Sequence, residues 1–400
     1  MDDAEKEKRL LSHPQKGSNQ IAVRSYNERL VLQLIREHGR LTKAEATRAT
    51  GLSANAASVI FRALESEGLV LREEPIRGRI GQPSTPLRIN PEAHHYVTLR
   101  IGRRSLELAV VNFAGQIVSR KHTRQPFPTP KLTLDFLDTE LAEVLANAKV
   151  SRESVAEMAV VMPYELWSWT EEFGAPKAEM EAWRRFDPVK EVQNHVPWPV
   201  VVENDATAAC RAELIFGSHT DKRDWIYFFV GTFIGGGVVL NSSVFSGRRG
   251  NAGGFGPMRV PDSEGGDRLV DHASLVVLER EIAAKGGNPF DLYDAEKGWH
   301  AFEDEAQRWI GQAATNLAHA IVSSLAIIDF EAVVIDGVLP AAIKKQLVDQ
   351  IRQELENSDL QGVHMPRVEA GQIGADARTM GGAATIINAK YMNNQNISMN

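Results

Sequence analysis

Cysteine is nearly missing: Cys210 is the one thiol in 400 residues. No internal disulfide can form, and a zinc site built on several thiolates is excluded. Cys210 itself reads as a buried helix residue. Long apolar runs are missing too. The stretch from Ala320 to Ile328 is among the longest, against the roughly 20 residues that a membrane-spanning helix requires. The first residues, MDDAEKEKRLLSHPQKGSNQ, are charged where a secretion signal would be apolar. A cytoplasmic protein with no membrane partner is the expectation. Histidines stand at His94, His95, His219 and His272 without metal-ligand spacing, so no metal is expected.

The charge that is present is unevenly shared. The whole chain carries −7, made of +4 over residues 1–90 and −11 over the rest. A basic unit on an acidic body suits a DNA reader attached to a sensor, because phosphate contacts need local positive charge. After a polar tail over 1–20, expected to be disordered, SYNERLVLQLIREHG has a helical stripe of Leu30, Val31, Leu34 and Ile35 ended by Gly39. Thr42 with Glu45 forms a capping-box pattern for a second helix, and Ser53 after Gly51 caps a third. The inner face of that third helix is read as Val59, Ile60, Ala63 and Leu64.

Three helices, the strand LVLREE and the returning PLRIN read as a winged helix-turn-helix over 21–90. The alternative is a small helical protein-interaction domain. On the first reading, Ser53, Asn55, Ala56 and Ser58 enter the major groove, with Lys43 and Arg62 beside them. Arg77, Arg79 and Gln82 then sit in a Gly-rich wing suited to phosphate or minor-groove contact.

From His95 the pattern is a β-meander, then helices alternating with the strands VAEMAVVMP and PVVVEN, then a similar unit from DWIYFFV to AVVIDG. That is an α/β body with a ligand cleft between two lobes. Its glycine block, GTFIGGG with GRRGNAGGFGP, lets backbone approach a ligand closely but carries no Glu, His or Cys for chemistry. Asn204 and Asp205 precede an Ala-rich helix. They serve either as ligand contacts or simply as its cap. Pro163, Tyr164, Glu165, Trp167 and Trp169 form either an aromatic wall for a carbohydrate, with Glu165 accepting a hydroxyl, or a packed loop or interface anchor.

At VVENDATAA, GTFIGGG and GRRGNAGGFGP the chain resembles the ROK family of repressors and sugar kinases. The resemblance covers nearly the whole chain and implies an α/β fold: a winged helix-turn-helix followed by a two-lobed actin/hexokinase-like domain. Lobe 1 is expected over 91–206, completed by a C-terminal helix at 376–391, and lobe 2 over 207–375. In kinases of the family the first strand turn places a carboxylate and small residues around ATP and magnesium, and here it reads RIGRRS, with Arg100, Arg103 and Arg104. The family's sugar-loop Glu and zinc-binding His correspond to Gly254 and Pro257, and a second sugar-binding Glu to Val270. The resemblance therefore implies a catalytically inactive body with neither zinc nor another cofactor, in which Asn204, Asp205, Glu165, Gly254 and Gly235 contact the ligand.

The expected function is transcriptional regulation, as a repressor of carbohydrate uptake or metabolism genes. The expected partners are a double-stranded operator, a sugar-type effector and a second copy of the chain in a homodimer. Two alternatives stand beside it: an active carbohydrate kinase of the same family, and a regulator controlled by a protein partner.

Overall fold

A computed structural model of the chain describes residues 20–75, 84–168, 170, 174–219, 221–261, 267–293 and 298–393. Two compact units emerge: one runs from His94 to Ile386, and the other joins the described residues up to Ala93 with those after Ile386. The tail, the wing residues Arg77, Arg79 and Gln82, and Trp169 lie outside the described residues.

In the smaller unit, α1 (Gln20–His38), β1 (Arg40–Leu41), α2 (Lys43–Thr50), α3 (Ala54–Ser66), β2 (Val70–Arg72) and β3 (Leu87–Ile89) follow in order. The strands form one sheet in the order β1-β3-β2, antiparallel throughout. Gly39 and Gly51 end α1 and α2 with φ of 74° and 71°, a conformation that costs glycine nothing. The core takes Val31, Leu32 and Ile35 from α1 and Ala57, Ile60, Phe61 and Leu64 from α3. This corrects the inner face of α3 read from the sequence. Val59 is 40% exposed, because the buried stripe runs through 57, 60, 61 and 64, and helical spacing puts 59 on the far side.

The larger unit is built twice on one plan. Its first sheet holds β4 (His95–Ile101), β5 (Ser105–Asn112) and β6 (Ile117–Arg124), then α4 (Pro130–Ala148) and β7 (Val155–Met162). The short α5 (Lys177–Met180) and α6 (Pro188–Gln193) lead to β8 (Val200–Asn204) and α7 (Asp205–Phe216). The stretch AWRRFDPVKEVQNHV breaks at Phe186, since Asp187 leaves the helix to cap Val189 and Lys190 ahead of Pro188.

The second sheet holds β9 (Trp225–Val230), β10 (Gly235–Leu240) and β11 (Ser243–Phe245). After α8 (Val270–Ala273), α9 (Leu275–Ala284) and α10 (Glu303–Leu325) come β12 (Ala332–Gly337), α11 (Ala341–Glu356), β13 (Arg367–Ala370) and α12 (Ala377–Tyr391). The sheet orders are β6-β5-β4-β7-β8 and β11-β10-β9-β12-β13. Each is an antiparallel meander whose first strand also pairs in parallel with one later strand, β7 or β12, which in turn pairs in parallel with the last, β8 or β13. Each has its own apolar core: α4 lies on the first sheet, while α10 lies among the buried residues of the second. The amphipathic pattern of α10 is thus explained by core packing.

Glycine lets α12 close against the first sheet. A Cβ at Gly382 would meet Thr98 Oγ1 at 2.4 Å, and one at Gly381 would meet the Ala208 carbonyl of α7 at 2.3 Å. No helix of the described residues is long and apolar enough to cross a membrane.

Candidate functional site

The candidate residues read from the sequence fall into two sets. The first is on the smaller unit. Thr42 Oγ1 accepts from the Glu45 amide at 3.3 Å, while Glu45 Oε2 accepts from the Thr42 amide at 2.8 Å, which sets the start of α2 and leaves Lys43 exposed. Ser53 Oγ accepts from the Ala56 amide at 3.2 Å and starts α3. Ser53, Asn55 and Arg62 are exposed, and Ala56 and Ser58 are half-buried. Arg62 Nε donates to the Ser58 carbonyl at 3.3 Å, holding the guanidinium along the helix. Asn55, Val59 and Arg62 stand at i, i+4 and i+7 on one outward face. Val59 belongs to that face, which the sequence reading missed. The available signal was the better-formed stripe 57-60-61-64.

The second set lines a cavity of about 130 Å³ within the larger unit, reached by the ends of β8, β9 and β10 and by the glycine block. Asn204, Asp205, Gly235 and Gly254 all line it, with Tyr164, Asn251 and Arg378. Glu165 does not. It is exposed with φ of 47°, and this left-handed turn leaves Pro163 and Tyr164 in the lining instead. Trp167 packs against the first core, so the loop is largely a packed one.

Asn204 caps α7, its Oδ1 accepting from the amides of Ala206 and Thr207, both at 3.0 Å. Capping consumes the acceptor and leaves the amide Nδ2 for other partners. Asp205 faces Arg378, with 3.6 Å between carboxylate and guanidinium. That guanidinium lies 4.8 Å from the Phe229 ring centroid. Burial, with Arg100 nearby, lowers the Arg378 pKa to about 10, so the side chain stays charged at neutral pH. Arg378 was not singled out from sequence. It is 173 residues beyond Asp205, and only the return of α12 to the first sheet brings it back.

The first strand turn carries three arginines with separate engagements. Arg100 pairs with Glu107 at 3.0 Å, Arg104 pairs with Glu279 at 2.5 Å, and the Arg103 guanidinium sits 4.7 Å from the Phe233 ring centroid. Gly254, Pro257 and Val270 line the cavity without a metal-donor side chain. Among the described residues no group of three or more His, Cys, Asp or Glu could hold a metal ion. The described residues offer no donor set for the zinc ion that family members with the loop His bind. Of the other histidines, His219 bonds Glu213 at 2.6 Å and His272 bonds Asp267 at 2.8 Å.

Burial pushes the Glu107 carboxyl up, but Arg100, the Thr379 hydroxyl and Arg120 outweigh it, and the pKa ends below the usual carboxylate value. A depressed folded pKa stabilises above the unfolded value, about 4.3, and that contribution is lost as pH falls through the folded value. Between pH 5 and 3 the wild type should therefore lose more stability than Glu107→Gln, read as the slope of the urea midpoint against pH. Parallel slopes would contradict this assignment.

Comparisons with known proteins identify both parts of the chain. The ROK family profile matches residues 96–389, and a winged helix-turn-helix DNA-binding profile matches residues 24–70. A xylose repressor of Bacillus spizizenii is 23% identical over 61% of this chain and 62% of its own length. The bifunctional enzyme NanE/NanK of Brucella melitensis is 34% identical over 46% of this chain and 34% of its own length. Among solved structures, a ROK family transcriptional regulator described as a homologue of the E. coli MLC protein superposes with a TM-score of 0.63. It has 21% identity over 92% of this chain and 97% of that one.

Proposed function

The chain belongs to the ROK family and carries a winged helix-turn-helix ahead of the family domain, and from that premise we propose that it is a DNA-binding transcriptional regulator. It represses carbohydrate genes as a homodimer, and its body senses a sugar or sugar derivative without phosphorylating it. The observation that carries this reading is the outward face of α3, where Asn55, Val59 and Arg62 are free of the core. Asn can bond adenine bidentately, valine can meet a thymine methyl, and Arg62 and Lys43 can reach guanine or phosphate. The repressors among its relatives point the same way.

The cavity supports a sensor. Asn204, Asp205 and Asn251 offer polar groups to hydroxyls. The RIGRRS turn puts the Arg100–Glu107 ion pair where a kinase would need a free carboxylate for magnesium. Effector and operator binding are then linked reciprocally.

The test is to sequence genomic DNA captured by the purified protein and measure binding to the recovered site. Asn55→Ala should weaken specific binding by about 1–3 kcal/mol and leave binding to unrelated duplex nearly unchanged. Equal losses on both would remove the base-reading role. A kinase is the second reading, favoured by the similarity to NanE/NanK and by Asp205 in the cavity. Sugar-dependent turnover of ATP that disappears in Asp205→Asn would establish that reading instead.

A further inference from the structure

A second cavity, of about 160 Å³, adjoins the first and shares Thr232 and Arg378 with it. Its lining is strongly cationic. Arg100, Arg104, Arg124 and Arg378 face it with His122, against the single carboxylate of Glu279. The arginines come from three places far apart in sequence: the first strand turn, the end of β6 and the start of α12.

Arg100 is paired with Glu107 behind the lining at 3.0 Å, while the charge of Arg124 and Arg378 is only partly compensated. Glu279 accepts from Arg104 at 2.5 Å and also from the Tyr293 hydroxyl at 2.7 Å. Arg124 lies 5.5 Å from the Tyr293 ring centroid and 6.0 Å from that of Phe290, and among the described residues no carboxylate is within 4 Å of it. Arg378 reaches Asp205 only at 3.6 Å, and its buried Nε has no hydrogen-bond partner among the described residues. A guanidinium on an aromatic ring is pre-organised and still has donors for an oxyanion. Arg378, standing between the two cavities, can address a ligand that occupies both.

We propose that the second cavity is an oxyanion subsite, and that the effector is a monosaccharide carrying one phosphate or carboxylate group. Its ring lies against Asn204, Asp205 and the glycine block, and its anionic group passes Arg378 into the arginine cluster. The inference rests on the reading of the first cavity as the effector site, and it narrows the sugar or sugar derivative to an acidic one. Phosphate and carboxylate share the chemistry of a planar guanidinium offering paired donors.

The experiment is calorimetric titration of the full chain with neutral monosaccharides, their monophosphate esters, the matching uronic acids and inorganic phosphate. It is repeated on Arg124→Gln, an exposed position, and on Arg378→Gln, with urea midpoints recorded for both. The expected result is an ester or an acid binding about tenfold or more tighter than its parent sugar, an advantage that Arg124→Gln loses while its urea midpoint stays put. Which of the two anions wins identifies the group. If parent and anionic sugars bind alike, or the advantage survives in both variants, the anion subsite is wrong and the sugar-sensing reading stands. If inorganic phosphate binds in an Arg124-dependent way and no sugar does, the subsite stands and the sugar reading falls. Binding by none of them overturns both.

Discussion

Gly236→Ala should destabilise the larger unit by about 3 kcal/mol or more, at the upper end of what overpacking costs, whereas Gly250→Ala in the same glycine block should cost about 1–2 kcal/mol. A Cβ at Gly236 would sit 2.0 Å from the Tyr227 carbonyl and 2.7 Å from the Phe255 ring. Neither the backbone of β9 nor that buried ring can yield without moving the sheet. Gly250 has φ of 71° but nothing within 4 Å of an added Cβ, so its substitution meets only backbone strain. Denaturant midpoints at constant m-value separate the two. If Gly236→Ala cost less than Gly250→Ala, close packing would not be why the block is rich in glycine.

That block has two further close approaches. Gly237 accommodates Cys210 of α7, and Gly253, at φ of 80°, brings the loop backbone onto Gly237. Together they seat α7 and the loop against β10, and this places Asn204, Asp205 and Gly254 around one cavity. The glycines thus shape the cavity through packing.

Glu213→Gln should cost about 3–5 kcal/mol, the range for breaking a buried charge arrangement by removing one partner. Glu213 is fully buried in α7. Its Oε1 bonds His219 at 2.6 Å and accepts from the Gln372 amide at 2.8 Å, and its Oε2 accepts from the Ile373 amide at 3.2 Å. A glutamine would turn an NH₂ toward a donor and leave a buried group unsatisfied. The carboxylate therefore holds the segment before α12 against α7. By contrast, Lys131→Ala, which breaks an exposed pair with Asp135, should barely move the midpoint. A Glu213→Gln loss no larger than that of Lys131→Ala would mean that the network contributes nothing to stability.

Local signals were legible where the physics is local. The capping box at Thr42 and Glu45, the Ser53 cap and the helix ends at Gly39 and Gly51 all appear as read, because each involves groups within four residues. The repeated meander was legible from alternation, since each strand's own residues decide which face is apolar. The face of α3 was misread by one position at Val59, because several phases of a short apolar helix fit nearly as well until the partner surface is known. The break within AWRRFDPVKEVQNHV is announced locally by Asp187 and Pro188.

The sequence alone determined that this is a small basic winged helix-turn-helix followed by a ROK body. Only the tertiary structure decided which residues share the cavity. It brought Arg378 to Asp205, left Glu165 out of the lining, and gathered Arg100, Arg104 and Arg124 around a second cavity beside the first. The reason is that caps, turns and strand faces depend on near neighbours along the chain. A pocket depends on where distant segments return, and here that follows from close glycine contacts and buried ion pairs between residues a hundred or more positions apart.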